Sequence, residues 1–301
     1  MRWGLASGRS ESHGRDRSRR DHRMVDLVMS RQSGSYAFVE FDDTERRRLV
    51  MQGSATWSFE REFLEWTGLK AGDRVADVAC GPGVISRLMA EYVGDEGFVT
   101  GIDISDELLK IAETIKRENS AFEQGSVYDL SDHRQQYDFV YVRLLFQHLE
   151  RPLDAMSQIF SILKPGGKIC VLDSDESVFG IFPPHEDLSF LIRETQALQA
   201  QRGGDRFVGG KLGYLMRASG FEQVAPRIFV MTPENMGRDT FLDVVLKFRP
   251  QLFPAEFRKE ATERMQAIYD HALKHMTYGH NGSFVVKAVR PSPGPATREK
   301  A

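Results

Sequence analysis

Between residues 70 and 172, short β-branched or aromatic runs alternate with stretches whose apolar residues recur at helical spacing. Lys70-Ala-Gly-Asp73 leads into Arg74-Val-Ala-Asp-Val-Ala79, which predicts a first strand. Val84, Ile85, Leu88, Met89 and Tyr92 then fall on one helix face. Phe98-Val-Thr-Gly-Ile102 predicts a second strand. Ser105 is a good N-cap with Asp106 and Glu107 in the first turn, and Leu108, Ile111, Ala112 and Ile115 mark the buried face behind it. Ala121-Phe-Glu123 and Tyr137-Asp-Phe-Val-Tyr-Val142 predict a third and a fourth strand. Pro152 suits a first helical turn, and Leu153, Met156, Ile159, Phe160 and Leu163 give that helix an apolar side. Lys164-Pro-Gly-Gly167 ends it before a fifth strand, Lys168-Ile-Cys-Val-Leu172.

Such alternation specifies an α/β fold: a doubly wound, mostly parallel sheet with helices on both faces, in three layers. A helix over Lys211–Ser219 and strands over Phe221–Val230 and Ser283–Val289 bring the sheet to seven strands. Thr44 to Trp66 is helix-like and precedes the first strand as an N-terminal cap. Two segments exceed this minimum. Residues 174–203 follow the fifth strand at the edge where open α/β sheets bind ligands, and residues 233–279 form a helical insertion before the last strand. Both are expected to cover a substrate pocket within one domain over 34–290, with Phe179, Phe182, His185, Phe241 and Phe248 as candidate walls; ordinary core packing is the competing explanation.

Residues 1–33 are expected to be a disordered extension. The first 31 hold eight Arg and four acids without an apolar period, so ordering them buries too little surface. They lack the apolar core of a secretory signal. The last residues, 291–301, carry three prolines with Ser, Gly and charged residues and read as a frayed tail.

The 301 residues are 41% hydrophobic and 28% charged, which excludes a disordered or fibrous chain. Lys plus Arg number 40 against 43 Asp plus Glu, a formal charge of −3, so no basic excess points to nucleic acid as a partner. No run approaches the ~20 apolar residues of a membrane span. Cys80 and Cys170 are too few for a disulfide framework, and a reducing, cytoplasmic location is expected.

The chemistry concentrates in Asp77-Val-Ala-Cys-Gly-Pro-Gly-Val84. Gly81 and Gly83 let the main chain turn tightly and approach a ligand, and the following helix offers free N–H groups to an anionic group. Twenty residues after the second glycine comes Asp103, at the end of the second strand, where a carboxylate can accept both hydroxyls of a ribose. A dinucleotide fingerprint would place Gly or Ala at position 86. Ser86 stands there, so the loop suits a compact carboxylate better than a pyrophosphate.

With Gly101-Ile-Asp103-Ile-Ser, Tyr137-Asp-Phe-Val and Leu163-Lys-Pro-Gly-Gly-Lys168, this loop resembles the ordered motifs of class I S-adenosylmethionine-dependent methyltransferases over roughly residues 35–175. The block Tyr36…Glu45-Arg-Arg-Arg-Leu49…Gln52 is similar to the N-terminal helix that caps the cofactor in a small-molecule subgroup. The resemblance implies the Rossmann-like methyltransferase fold, S-adenosylmethionine as cofactor and methyl transfer to an O, N, S or C atom of a small molecule. It implies main chain around Ala79, Gly81 and Gly83 holding the methionine part, with Asp77 ordering the loop. Asp103 would take the ribose hydroxyls, Ile104 and Val127 the two adenine faces, and Ser126 the adenine edge, where the family usually has an acid. Arg143 would touch the cofactor or an acidic substrate, and Tyr36, Gln52 and His148 would complete the cofactor site.

In-line transfer from a sulfonium needs alignment and exclusion of water, and a base only for some acceptors. His148 and Tyr36 are the candidates for that base, each with a purely structural role as the alternative. No metal site is expected: the acids Asp173, Asp175 and Glu176 read as a solvated turn, and His271, His275 and His280 as surface residues. Other readings are an RNA-modifying methyltransferase, a nicotinamide-dependent oxidoreductase, and a nucleoside-binding module without turnover.

Overall fold

The computed structural model describes residues 53, 57 and 59–292. Helix α1 covers 59–67, so only this end of the expected N-terminal cap is described; its earlier part, the 1–33 extension and the 293–301 tail lie outside the described residues. Thereafter the order is β1 (Arg74–Val78), α2 (Val84–Val93), β2 (Phe98–Asp103), α3 (Asp106–Thr114), β3 (Ser120–Gln124), β4 (Tyr137–Arg143), α4 (Pro152–Ile162) and β5 (Leu163–Phe182). Then follow α5 (Leu188–Gln201), α6 (Leu212–Ala218), β6 (Glu222–Met231), α7 (Pro233–Met236), α8 (Arg238–Leu246), α9 (Ala255–His275) and β7 (Tyr278–Val289).

The seven strands lie in the order β3-β2-β1-β4-β5-β7-β6, with β7 antiparallel to both neighbours. Strand β1 pairs in parallel with β2 on one side and β4 on the other, so the chain reverses its direction of winding there. The two crossovers diverge at that point and leave a crevice beyond the carboxyl ends of β1 and β4.

Alternate side chains of the central strands enter two different cores, as the period of two requires. Val75, Phe139, Tyr141 and Val285 pack with Leu64, Ile85 and Met89 of α1 and α2. Ala76, Val140, Val142 and Val286 pack with Met156, Ile159 and Leu215 of α4 and α6. Both faces are covered, hence the near-continuous apolar runs in β1 and β4. The expected N-cap forms: Ser105 Oγ accepts the Leu108 N–H at 3.3 Å, and Pro152 opens α4.

Two expectations need correction. Strand β5 does not stop at Leu172, and β7 starts before Ser283. After a register shift between Ser174 and Phe179 the pairing resumes, with Phe179, Gly180, Ile181 and Phe182 opposite Asn281, His280, Gly279 and Tyr278. The first part of 174–203 is therefore a strand extension. Nor is Asp173-Ser-Asp-Glu176 a solvated turn, because Asp173, Asp175 and Glu176 are all buried. Their polar atoms are satisfied across the fold: Asp173 by the N–H groups of Ser174 and Gln147, Asp175 by that of Gly210, Glu176 by Arg206 and Arg249.

The segment 233–279 is helical as expected. With α5 it builds a third apolar core, in which Leu191, Phe241, Leu242, Leu246, Ile268 and Ala272 are buried against one another beyond the tips of β5, β6 and β7.

Candidate functional site

A cavity of about 520 Å³ occupies the crevice at the carboxyl ends of β1, β2 and β4. Asp77, Ala79, Gly81, Asp103, Ile104, Ser126, Val127, Arg143 and His148 all line it. Gly83 is not among its lining residues. Tyr36 and Gln52 lie outside the described residues.

The loop after β1 is shaped by positive φ angles of 64°, 54° and 75° at Ala79, Gly81 and Gly83. The two glycines serve different ends. A Cβ on Gly81 would meet only the tip of Leu108 at 4.0 Å, so that side of the main chain is open. A Cβ on Gly83 would lie 2.6 Å from Ala112 Cβ and 2.7 Å from the Phe122 ring; its missing side chain makes room for α3 and β3 rather than for a ligand. Ala79 accepts a conformation that L-residues seldom adopt, with its N–H donating to the Ile102 carbonyl at 2.7 Å.

Asp103 ties this loop to the next. Its Oδ2 accepts the Gly81 N–H and its Oδ1 the Ser105 N–H, each at 2.8 Å. Each oxygen keeps a second lone pair, so the carboxylate is oriented by the main chain and can still receive a diol. Burial raises its pKa, opposed by the N–H groups of Ser105 and Gly81. Ile104 projects an apolar side chain that is 63% exposed and lines the cavity, a surface suited to one face of a flat ring. Gln124 Nε2 donates to the Ile104 carbonyl at 3.1 Å and braces it. Ser126 Oγ accepts the N–H of Tyr128 at 3.2 Å, shaping the neighbouring turn.

Asp77 is fully buried and accepts the Ser86 hydroxyl at 2.6 Å, so the residue at the third fingerprint position anchors the loop acid. Desolvation pushes Asp77 up to about 7, with Glu60 and Asp103 adding to the rise. Arg143, which lines the cavity, is anchored from one side by an acid. Its Nε donates to Glu60 Oε1 at 2.8 Å, and the Tyr141 hydroxyl donates to Glu60 Oε2 at 2.7 Å. Glu60, from α1, was not legible as a site residue, since a lone acid in a helical pattern is ordinarily solvated.

Beyond this half the cavity continues under the third core. Phe229, Met231, Val244, Phe248 and Leu252 give it an apolar wall, and Arg206, Glu176, Asn281 and Ser283 polar groups. Of the expected walls, Phe248 lines the cavity and Phe241 is core. Phe182 is 63% exposed, and His185 stacks edge-on against His271 at 5.3 Å. Among the described residues no cluster of His, Cys, Asp and Glu could hold a metal ion.

The arrangement offers an oriented carboxylate, a ring-sized apolar ledge and an open main-chain bend in one cavity, a set that fits a nucleoside bearing an amino-acid arm. Comparison with known proteins agrees. Residues 69–210 match the family model of a methyltransferase domain. An uncharacterized methyltransferase of Schizosaccharomyces pombe is 33% identical over 135 residues, 42% of this chain and 48% of that protein. The chloroplastic 2-phytyl-1,4-beta-naphthoquinone methyltransferase of Arabidopsis thaliana is 32% identical over 121 residues, 38% of this chain and 46% of that one. The chain thus spans about half the length of these curated relatives. A Haemonchus contortus phosphoethanolamine N-methyltransferase, solved with phosphomonomethylethanolamine and S-adenosylhomocysteine, shares the fold with a TM-score of 0.52 at 20% identity, over 78% of this chain and 53% of that one. Residues 69–210 thus match a methyltransferase domain, and the chain has the fold of solved methyltransferases.

Proposed function

We propose that the chain binds S-adenosylmethionine in the crevice at the ends of β1, β2 and β4 and transfers its methyl group to a small molecule held under the third core. The observation that carries this reading is a single cavity joining the Gly81 bend, the Asp103 carboxylate and the exposed Ile104 to an apolar compartment. In this reading Asp103 accepts the two ribose hydroxyls, and Ile104 and Val127 enclose the adenine, with Ser126 at its edge. Main chain at Ala79 and Gly81 lies along the methionine arm, near Asp77. The bound sulfonium supplies an activated methyl group. The protein's own work is to align the acceptor and keep water out.

A small acceptor is favoured by the concave, partly aromatic compartment and by a relative named for a naphthoquinone. The formal charge of −3 gives no support to an RNA acceptor, which steep salt dependence of RNA binding would reinstate. Cys80 and Cys170 are both buried free thiols, in keeping with a reducing, cytoplasmic setting. Among the described residues no helix is long and apolar enough to cross a membrane.

Calorimetric titration tests the reading. S-adenosylhomocysteine is expected to bind with micromolar affinity, and Asp103→Ala to weaken it by about 1.5–3 kcal/mol, the range for hydrogen bonds to a charged group. An intact, folded protein that gives no binding heat would end the proposal.

A further inference from the structure

We propose that Gln199 holds His148 as the neutral tautomer protonated on Nε2, so that in the reaction proposed above His148 acts as a hydrogen-bond donor and not as a base. Arg206 carries a guanidinium that can only donate. Its Nε and NH2 engage Glu176 Oε1 at 2.8 and 2.7 Å, and its NH1 donates to the Gln199 side chain at 2.9 Å. The Gln199 atom facing Arg206 must therefore be the amide oxygen. The other end agrees independently, because Gln199 Nε2 lies 2.6 Å from the main-chain carbonyl of Gln147, which can only accept. Two one-sided partners fix the amide orientation, and a flip would break both bonds.

The same NH2 group lies 3.3 Å from His148 Nδ1. An amide nitrogen cannot accept, so Nδ1 must, and the proton of the neutral ring is left on Nε2. Gln199 is itself immobilised. It is buried on α5, and Glu176 is gripped from its far side by Arg249, whose NH1 reaches Oε2 at 3.2 Å and Thr195 Oγ1 at 3.0 Å. A neutral imidazole has one basic nitrogen. Here it is tied to Gln199, and taking up an acceptor's proton would break that bond. The acceptors that suit this site bring their own nucleophile: an amine lone pair, or a thiolate, phenolate or enolate formed without His148.

The inference rests on the methyl-transfer reading for its chemical meaning, but its test does not. The full chain, labelled with nitrogen-15 in its histidines, is examined by long-range proton–nitrogen correlation at neutral pH, with His148→Gln identifying the His148 signals among the eight histidines. The expected pattern is that of the Nε2-protonated neutral ring. Gln199→Glu, which turns an acceptor oxygen toward Nδ1, is expected to move the proton to Nδ1; Gln199→Met, which removes the donor, is expected to give a mixture of tautomers. An Nδ1-protonated or doubly protonated ring in the wild-type protein overturns the proposal, as does a tautomer that neither variant alters. If Gln199→Glu fails to fold, the wild-type spectrum and Gln199→Met decide. Titration of the same sample with S-adenosylhomocysteine tests the cofactor reading separately: the expected tautomer without cofactor binding would sink the function and leave the histidine assignment standing.

Discussion

Gly81 and Gly83 both have left-handed backbone, yet substitution should separate them. Gly81→Ala costs the ~1–2 kcal/mol of an L-residue in that region. Gly83→Ala adds the overpacking against Ala112 and Phe122, for a total of about 2–5 kcal/mol. Thermal unfolding should therefore rank Gly83→Ala well below Gly81→Ala, whereas S-adenosylhomocysteine affinity should fall more in Gly81→Ala among folded protein. Equal melting points would contradict the division of labour. Asp77 makes a second residue-level prediction. Its folded pKa of about 7 lies above the ordinary carboxylate value, so the folded state holds a proton that the unfolded chain has released. The stability this contributes is whole below pH ~4 and is lost as pH rises through about 7. Asp77→Asn should then stabilise the ligand-free protein at pH 8, by on the order of 2–4 kcal/mol, and hardly at pH 4, at one pKa unit per ~1.4 kcal/mol. Ligands with an ammonium group should bind wild type better as pH rises through 7, a dependence that Asp77→Asn should abolish. A variant no more stable than wild type at pH 8 would refute the burial cost.

Between elements, the tie that matters most to the crevice is that of α1 to β4. Glu60 takes the Arg143 guanidinium and the Tyr141 hydroxyl in a buried setting, so α1 is pinned across the sheet at the mouth of the cavity. Removing one member of a buried pair strands the other's charge, which typically costs 3–5 kcal/mol. Glu60→Ala should lose about that much in denaturant unfolding, and Glu60→Ala/Arg143→Met should lose clearly less than the two single losses combined. Strict additivity would mean that the pair is not coupled. Trp66, at the far end of α1, lies under Arg227 and Lys287 of β6 and β7 at 4.0 and 4.3 Å, a second contact between this helix and the sheet. Neither tie was legible, because the partners are separated by more than seventy residues and the charged ones alone resemble ordinary surface charges. The N-cap at Ser105 and the proline opening α4 were legible, because their causes lie within four residues of themselves.

At the scale of the molecule, the two sheet-covering cores meet the strands, while the third is built from α5, α8 and α9 packed mainly on one another. Cooperative units of this kind open at their own free energies. Native-state hydrogen exchange should show α8 and α9 losing protection together, at lower free energy than β1 and β4. Exchange of all four in one global step would show that the third core is not a separate unit. Because Val244, Phe248 and Leu252 of this region wall the cavity, its opening would also admit an acceptor. With the cofactor on the Gly81, Asp103 and Ile104 side as proposed, Phe248→Ala, which loses the stacking on Arg206 and Arg249, should leave S-adenosylhomocysteine affinity within about 0.5 kcal/mol. A larger loss would place the cofactor across both halves of the cavity.

The alternation of strands and helices and the glycine loop with its following acid were readable from the chain alone, because periodicity, capping and turn chemistry act over a few residues. Asp103 could be named for the same reason, since it sits at a strand end that the pattern reveals; Asp77, Ile104 and Val127 were named through the resemblance to methyltransferases. What the tertiary structure decided is where distant polar groups find partners. Burial turned Asp173, Asp175 and Glu176 from an apparent surface turn into a strand held by Arg206, Arg249 and Gly210. It paired Arg143 with Glu60, packed Gly83 against Ala112 and Phe122, and set Gln199 against His148 across 51 residues. A buried charge or amide must be satisfied by whatever the fold brings within 3 Å of it, and no local pattern in a sequence carries that information.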